Sequence, residues 1–523
     1  MMSAASRGKP TSQHSAPRLP RGAVPVLLAA ALGPLVVAFL LRLLAVPLGC
    51  PGRFVYLWSP VWERRVIAVP SAVLMGVGLA VAVWLSGTSS PKGRRLGLVL
   101  AAAAVVALAV WSYVAPPQHV NQHVFNTFSP SQDGAFVLEA LRVRSVREYL
   151  AAFPQRAAAP PAAMRGTRVI SNPPGTTLLA IGLWRAVERW PWLAHLPTAR
   201  VRPEMAGEKT WEKVGPGVTL GLVFVWVLTT LWAFSTVLWY ATARLYCSPP
   251  AALACAVCCV FTPATLLLTP GKDPVQLLTT GVPLHFWLYA WRRNRPWAAL
   301  VAGAVFPLAC LVSLVHFWLA GIVVVATGWT ASRRAGELRR TLLGVVLPAF
   351  VGALAVTAVV SVVSGLDWYG TFASVARSQA LVTRGPDAMP LAWQLLGVPL
   401  FLLFAGPALW GLSFWSPSDG LEVPSLTQDE MRFGRALLLA SVIVMVATVG
   451  FTNSETPRLW IPFAPLLTLG LFLRRPSLRA GTRPAVAFLT ALVWAQVASA
   501  AVQWSLMDMR EAETRLLNER FFS

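Results

Sequence analysis

An aspartate at the start of a helix-like run is the residue best suited to acid–base chemistry. Asp133 stands in the segment Gln-Asp-Gly-Ala-Phe-Val-Leu-Glu, which ends at Glu139. A carboxylate fixed there can take the proton from a hydroxyl while the hydroxyl oxygen attacks a carbon that bears a phosphate leaving group. As structure, Asp133 would be a helix N-cap and Glu139 a solvated helix residue. These residues alone leave both interpretations open.

A lysine and an aspartate stand side by side between two apolar runs, in the segment Gly-Lys-Asp-Pro-Val-Gln that ends at Gln276. Lys272 can meet a phosphate, and Asp273 can bind sugar hydroxyls, a metal or Lys272 itself. An ordinary turn explains the same residues equally well.

A glutamate and an arginine stand at the mouth of a later apolar run, in Glu-Thr-Pro-Arg-Leu-Trp. Glu455 and Arg458 each cost free energy there unless they are paired or bound. Arg458 presents a planar fork that suits phosphate oxygens. The alternative is an ion pair between the two residues that holds two helices together.

Two further elements follow Asp133 along the chain. Arg142 and Arg144 lie where a surface helix would meet anionic lipid headgroups. Asn172, Pro173 and Pro174 precede a glycine, and Pro-Pro-Gly stops one helix and sets the direction of the next. An ordinary helix start is the alternative for this second element.

Cofactor motifs are missing from the sequence. It contains no Walker loop, no glycine-rich dinucleotide fingerprint and no zinc-type Cys/His array, so we assign no metal ligands. A divalent cation at Asp273 stays possible as a cofactor. The C-x-x-C-C motif at 255–259 lies in an apolar segment and is typical of packed thiols. His285 and His316 are predicted to be hydrogen-bonded core residues.

The composition shows which solvent surrounds these residues. Of 523 residues, 56% are hydrophobic and 12% charged, and the mean hydropathy is +0.60. Apolar runs of about 20 residues recur from Val24 to Val502, so the lipid bilayer is the solvent. The net charge of +23 comes from short clusters between these runs. The clusters indicate membrane topology and not nucleic-acid binding.

The sequence predicts an all-α polytopic transmembrane protein, a helical bundle of about 13 spans. The predicted spans lie near 24–46, 67–86, 96–115, 216–240, 251–269, 275–291, 297–311, 313–328, 342–364, 391–413, 434–452, 459–474 and 485–505. Spans 297–311 and 313–328 require a tight hairpin between them. Residues 1–22 are predicted to be a disordered basic cytoplasmic tail, residues 23–505 the membrane domain, and residues 506–523 a C-terminal tail.

The arginine clusters decide how the loops are distributed between the two sides. With the basic N-terminus in the cytoplasm, residues 116–215 form one large extracytoplasmic segment. Residues 173–189 are predicted to be a re-entrant or surface-lying helix, because a crossing there would put the clusters at 292–295, 333–340 and 474–483 outside. The loops that carry Asp133, Asp273 and Arg458 then share the outer face.

Taken together, these motifs resemble those of the GT-C superfamily of polyprenyl-phosphate-dependent glycosyltransferases, which includes protein O-mannosyltransferases and lipid A aminoarabinose transferase. Asp133 matches the acidic residue of the first outer loop in that family. Ser-Asn-Pro-Pro-Gly at 171–175 is similar to its His-Pro-Pro-Gly element, and Lys-Asp-Pro at 272–274 to its second acidic motif. Glu-x-x-Arg-Leu-Trp at 455–460 resembles a late motif of many members.

The chain departs from the family pattern in two ways. Asn172 replaces the usual histidine, and the first large loop follows three apparent spans instead of one.

The resemblance implies transfer of a sugar from a polyprenyl-phosphate donor to a hydroxyl of a lipid, glycan or protein. Asp133 would be the general base, and the anomeric carbon would be inverted. Lys272 and Arg458 would hold the donor phosphate with help from Arg142 or Arg144, and Asp273 and Glu455 would complete the donor site. The expected location is the bacterial inner membrane, with membrane lipids as surroundings and the active site extracytoplasmic.

Three other functions fit parts of the pattern. A secondary transporter would carry its ionisable residues near mid-membrane and would show a repeat, whereas here the acids cluster in outer loops. A noncatalytic membrane scaffold would have the same fold, with Asp133 capping a helix. An oligosaccharide ligase with a diphosphate-linked donor would want more arginine around the phosphate.

Overall fold

The computed structural model describes residues 23–43, 49–50, 54–58, 62–88, 90–114, 133–158, 168–195, 208–269, 271–384, 391–414, 428–452 and 456–511. The predicted tail at 1–22 and most of the one at 506–523 lie outside these segments. The described chain is almost entirely helical, which confirms the predicted fold class at that level.

The first half of the chain forms three long helices, a group of short loop helices, and a second series of longer helices. The three long ones are Ala23–Leu43 (α1), Trp62–Ser86 (α2) and Pro91–Val114 (α3). The loop helices are Gly134–Arg142 (α4), Val146–Ala151 (α5), Phe153–Ala157 (α6) and Gly175–Arg189 (α7), with a 3₁₀ turn at Pro191–Ala194. The next series is Glu208–Arg244 (α8), Pro249–Val260 (α9), Pro263–Leu267 (α10), Lys272–Arg293 (α11), Pro296–Cys310 (α12) and Val315–Ala331 (α13).

The second half contains one long helix with a π-helical segment, followed by shorter and bent helices. Glu337–Thr341 (α14) and Leu347–Ser364 (α15) flank the π segment Leu342–Val346. The remaining helices are Trp368–Arg384 (α16), Leu391–Ala405 (α17), Pro407–Phe414 (α18), Gln428–Thr452 (α19), Thr456–Leu459 (α20), Ala464–Leu473 (α21), Pro476–Ala480 (α22) and Arg483–Leu506 (α23). A 3₁₀ turn at Ile461–Phe463 joins α20 to α21.

A small antiparallel sheet joins the two ends of the described chain. Its strands are Gly49–Cys50 (β1), Phe54–Trp58 (β2) and Met507–Glu511 (β3), in the order β1-β2-β3. Phe54 pairs with Glu511, and Trp58 pairs with Met507. The sequence analysis predicted no strand, and it assigned the residues of β3 to the C-terminal tail.

Several helices have the length and apolar character that a bilayer requires. Within the described segments, five helices are long and apolar enough to cross a membrane, or six if the bent pair α17 and α18 is one span. The five are Pro91–Val110, Gly215–Arg244, Glu337–Ser364, Gln428–Thr448 and Arg483–Gln503. Other predicted spans coincide with shorter apolar helices, such as α9, α12 and α13. The chain therefore has the character of a helical membrane protein.

The centre of the bundle is the short helix α9. Its residues 250–260 are all buried, against α8, α21 and α23. A helix that is apolar on every face is surrounded either by lipid or by other helices, and α9 is surrounded by other helices. The five cysteines whose side chains are described, three of them on α9, are buried and form no disulfide, as predicted.

A sharp bend separates α17 from α18, and a buried glutamine satisfies the backbone there. The two helices meet at 93° at Gly406, whose φ of 81° favours glycine. The Gln496 amide nitrogen donates to the carbonyls of Ala405 and Phe261, at 3.1 Å each. Its oxygen accepts from the Ala408 amide at 2.7 Å. Because the bilayer core offers no water, such internal partners are what allow a broken helix at that depth.

The helix α11 links the two ends of the bundle. Lys272 is its first residue and Arg292 lies in its last turn, about 30 Å away by helical rise. At the second end, Arg292 and Arg479 both contact Glu430, and Arg334 contacts Asp429. The arginine clusters that the sequence assigned to one side therefore meet at one end of the bundle.

Candidate functional site

Asp133 does not cap its own helix. It occupies the N-cap position of α4, but its side chain makes no capping hydrogen bond. Its Oδ1 accepts from Arg168 Nη1 at 2.6 Å, and its Oδ2 accepts from the backbone N–H of Lys272 at 2.7 Å. The second bond spans 139 residues of sequence. Asp133 is therefore not an ordinary N-cap. Its carboxylate is held by Arg168 and by the Lys272 amide.

The second carboxylate, Asp273, lies in the first turn of α11. Its Oδ1 accepts from Lys272 Nζ and from Gln276 Nε2, at 2.9 Å each. Its Oδ2 lies 3.2 Å from Arg168 Nη2 and 3.5 Å from Arg458 Nε. Asp273 therefore joins residues from three separate segments of the chain.

One arginine binds both carboxylates. Arg168 donates from Nη1 to Asp133 and from Nη2 to Asp273, so its planar fork bridges the two. The sequence analysis did not select it, although Arg168 begins the segment that contains Pro173 and Pro174. The signal that could have found it is an arginine just before a Pro-Pro-Gly turn in the same loop as a candidate base.

We call these five residues the charged cluster: Asp133, Arg168, Lys272, Asp273 and Arg458. Their side chains are between 4% and 13% exposed. Among the described residues, the charged cluster holds three cations and two carboxylates. Guanidinium and ammonium groups gathered in one place are suited to bind an anion such as a phosphate.

The cations fix the charge state of Asp273. Burial alone would raise the pKa of this carboxyl, but Lys272, Arg168 and Arg458 together hold it well below its usual range. Asp273 is therefore a permanent carboxylate at physiological pH.

The Pro-Pro-Gly element positions Arg168 and does not touch the carboxylates. The Asn172 side chain donates from Nδ2 to the Arg168 carbonyl at 2.8 Å. Pro174 occupies the N-cap of α7, and the Gly175 N–H donates to the Leu311 carbonyl at 2.7 Å. A Cβ at Gly175 would lie 2.5 Å from that carbonyl oxygen, so only glycine allows this approach. The element predicted from sequence holds the bridging arginine in place.

Other predicted residues lie away from the charged cluster. Arg142 is the last residue of α4, about 13 Å from Asp133 along the helix axis, and Arg144 follows the end of the helix. Both are exposed and contact no member of the cluster in the described segments. Glu455 lies outside the described residues, and Arg458 pairs with Asp273. Glu139 is buried and contacts Arg156, so its interpretation as a solvated helix residue was wrong.

An apolar cavity of about 260 Å³ lies along the same helix as Lys272 and Asp273, α11. It begins at Thr280, about 10 Å along α11 from Asp273. Its walls come from α11, α12, α13 and α15, with mostly hydrophobic lining such as Trp287, Phe306 and Phe350. His316, on the wall nearest the cluster, lies 2.9 Å from Thr279 Oγ1. A charged site next to an apolar cavity suits a ligand with a polar head and a hydrocarbon tail.

The oxygens of Asp273 have little room for a metal ion, because each already faces two donor groups. All four oxygens of Asp133 and Asp273 already accept from a cation or an amide. In the described segments, no three His, Cys, Asp or Glu side chains are placed to share an ion. A divalent cation at Asp273 would have to displace Arg168 or Lys272 from this arrangement.

Comparison with known proteins adds no relative. No protein-family model and no curated protein matches the chain. The resemblance to GT-C enzymes therefore rests on the four motifs themselves, of which three contribute side chains to the charged cluster and one holds Arg168.

Proposed function

We propose that this protein is a membrane glycosyltransferase that moves a sugar from a polyprenyl-phosphate carrier to a hydroxyl of a lipid, glycan or protein. The observation that carries the proposal is the pair of long-range bonds made by Asp133. This carboxylate leaves its own helix uncapped and bonds to Arg168 and to the Lys272 amide. The wider fold we propose is a bundle of about 13 spans in the bacterial inner membrane, with the charged cluster on the extracytoplasmic face.

The phosphate and the hydrocarbon chain of such a donor suit the site. A lipid-linked sugar phosphate is a diester with one negative charge, which the cations of the charged cluster are suited to bind. Its hydrocarbon chain suits the apolar cavity along α11. Arg458 offers the planar fork that phosphate oxygens prefer, and Lys272 adds a point charge. Arg168, whose fork bridges the two carboxylates, adds the positive charge of its guanidinium.

The chemical step uses the two carboxylates differently. The acceptor oxygen forms a bond to the anomeric carbon and its proton moves to Asp133, while the bond between that carbon and the phosphate oxygen breaks. The lipid phosphate leaves with the bonding electrons as an anion, which the three cations stabilise. Each Asp133 oxygen has one acceptor position beyond its present bond, so the hydroxyl can approach without displacing Arg168. Asp273 holds the cations in place.

The decisive change is Asp133→Asn, which removes the base and keeps the shape. We expect donor binding to survive and turnover to fall by about 100-fold or more, since general-base catalysis contributes that much. The measurement uses the purified protein in lipid with a panel of radiolabelled polyprenyl-phosphate sugars and membrane acceptors. The matched control is Asp429→Asn, which removes an ion-paired aspartate at the opposite end of the bundle.

The possible outcomes separate the candidate functions. If Asp133→Asn turns over the donor as fast as wild type does, Asp133 is not the general base. Donor binding without turnover, even in wild type, would favour the noncatalytic scaffold. No donor binding at all would favour a transporter.

A further inference from the structure

A buried arginine at the far end of the bundle from the charged cluster has donors that no described protein group accepts. Arg479 lies on α22 with a fully buried side chain, and its Nη1 donates to Glu430 Oε2 at 2.5 Å. Its Nε and Nη2 are buried and have no hydrogen-bond partner among the described residues. A buried N–H without an acceptor costs free energy, so this site is incomplete as it stands.

Two more residues complete the surroundings of Arg479. Arg292 donates to the other oxygen of Glu430, and its guanidinium lies 4.8 Å above the ring of Tyr246. The Tyr246 hydroxyl is also buried without a partner among the described residues. Burial raises its pKa, so the hydroxyl stays protonated and can donate. We call Tyr246, Arg292, Glu430 and Arg479 the arginine corner.

The charge of the arginine corner is unbalanced in favour of an anion. Among the residues that the structure describes, two arginines share a single glutamate, which leaves one positive charge, and Nε and Nη2 of Arg479 have no acceptor. Planar guanidinium forks are suited to phosphate oxygens. The missing group is therefore an anion with several acceptor oxygens.

The position of the arginine corner shows where such an anion could come from. The exposed Trp297 follows the arginines at the end of α11, and the exposed Trp329 lies under Arg333 at 4.8 Å. Tryptophan and arginine at helix ends are typical of the headgroup layer of a bilayer. Arg292 is about a third exposed, so it lies between Glu430 and the surface.

We propose that the arginine corner binds a phosphate ester group, with the headgroup of an anionic lipid as one source and a soluble phosphate as the other. The phosphate oxygens accept from Arg479 Nε and Nη2 and from the Tyr246 hydroxyl, and Arg292 covers the entrance. This site lies about 30 Å from the charged cluster and does not depend on the transfer reaction.

The test compares wild type with Arg479→Lys in detergent. Lysine keeps the charge that faces Glu430 and loses the two unpartnered donors. We expect wild type to retain phosphatidylglycerol, but not phosphatidylcholine, in native mass spectrometry, and to unfold at a higher temperature when phosphatidylglycerol is added. Arg479→Lys should bind about tenfold more weakly, since it loses a charge-assisted fork. Arg474→Gln, an exposed arginine nearby, should bind as wild type does.

A second variant moves binding in the other direction. Glu430→Gln removes the negative charge that competes with the phosphate for Arg292 and Arg479, so phosphatidylglycerol should bind more tightly. Arg292→Lys is a further variant in case Arg479→Lys does not fold, and it should also weaken binding.

The outcomes decide whether the arginine corner binds a phosphate group and whether that group belongs to a lipid or to a soluble molecule. A shift with phosphatidylglycerol vesicles but not with inorganic phosphate supports the site and assigns a lipid. A shift with inorganic phosphate alone supports the site and assigns a soluble ligand. No shift with either, or an Arg479→Lys protein that responds as wild type does, would overturn the proposal.

Discussion

At the residue scale, the cations of the charged cluster differ in whether they can lose their charge. The ammonium of Lys272 can be deprotonated, whereas the guanidinium groups of Arg168 and Arg458 stay charged. Burial lowers the pKa of Lys272, Asp273 raises it and Arg168 lowers it again, with a net decrease. Lys272 therefore loses its proton at a lower pH than an exposed lysine does.

This pKa predicts opposite effects of pH on binding and on stability. Donor affinity should fall as the pH rises toward 10.4, the ordinary lysine value, by about tenfold per unit above the pKa of the folded protein. Without donor, the folded state binds its proton more weakly than the unfolded state, so stability should rise over the same range. Titration of donor binding and of the unfolding midpoint between pH 7 and about 10 measures both effects.

Lys272→Arg is the control for this prediction, because arginine stays protonated throughout that range. Its donor affinity should be independent of pH. If the affinity of this variant falls as steeply as that of wild type, another group is responsible.

Four cluster residues were predicted from sequence, and one was not. Asp133, Lys272, Asp273 and Arg458 stand out because a charge beside an apolar run needs a partner. Arg168 does not stand out among 44 lysines and arginines, since its partners are distant in sequence. Arg142 and Arg144 were predicted to help hold the donor phosphate, but the rise of α4 carries the chain away from Asp133 before it reaches them.

At the element scale, the packing of α7 against the turn at Leu311 fixes the segment that presents Arg168. The sequence predicted that residues 173–189 do not cross the membrane. The 15-residue α7 is about 22 Å long, shorter than the hydrocarbon core of about 30 Å. The break required within the apolar stretch 297–328 is present, because α12 ends at Cys310 and α13 begins at Val315.

A pair of alanine substitutions on α7 tests this contact. Gly175→Ala would place a Cβ 2.5 Å from the Leu311 carbonyl oxygen, so it should destabilise the protein by about 1–3 kcal/mol. Gly182→Ala, on the same helix and with open space around it, should stabilise it by about 0.5–1 kcal/mol. Thermal unfolding of both variants measures the difference. A Gly175→Ala protein as stable as the Gly182→Ala protein would show that the close approach is absent.

The small sheet was not predictable because its signal is weak and non-local. β1 has two residues, β2 has five, and β3 comes about 450 residues later in the chain. Strands this short give little alternation of polar and apolar residues, and the pairing depends on chain ends that only the folded bundle brings together.

At the scale of the whole molecule, charged residues are sorted between the two ends of the bundle. The loops that the arginine pattern assigned to the outer face meet in the charged cluster, at one end of α11. The arginine clusters assigned to the other side meet at the opposite end, which includes the arginine corner. The sequence could predict this sorting because each apolar run reverses the direction of the chain. The number of crossings is harder to predict, since runs broken by proline or bends divide into shorter helices.

Cysteine labelling tests which end faces outward. Arg144→Cys and Arg333→Cys place exposed thiols at opposite ends, and the native cysteines with described side chains are buried. With a membrane-impermeant maleimide, Arg144→Cys should react in intact cells and Arg333→Cys only after permeabilisation. Wild type measures the background. The reverse pattern would contradict an outward-facing charged cluster.

The bond between Asp133 and the Lys272 amide has a consequence for how the protein is made. Its two partners are 139 residues apart, and Arg458 is synthesised later still. At about 5–20 residues per second, the ribosome needs roughly 7–30 s to reach Lys272 after Asp133. During that interval Asp133 has Arg168 of its own loop as a partner but lacks the Lys272 amide, while helices are inserted behind it. A nascent chain truncated before α20 lacks Arg458, so a complete charged cluster can form only late in translation.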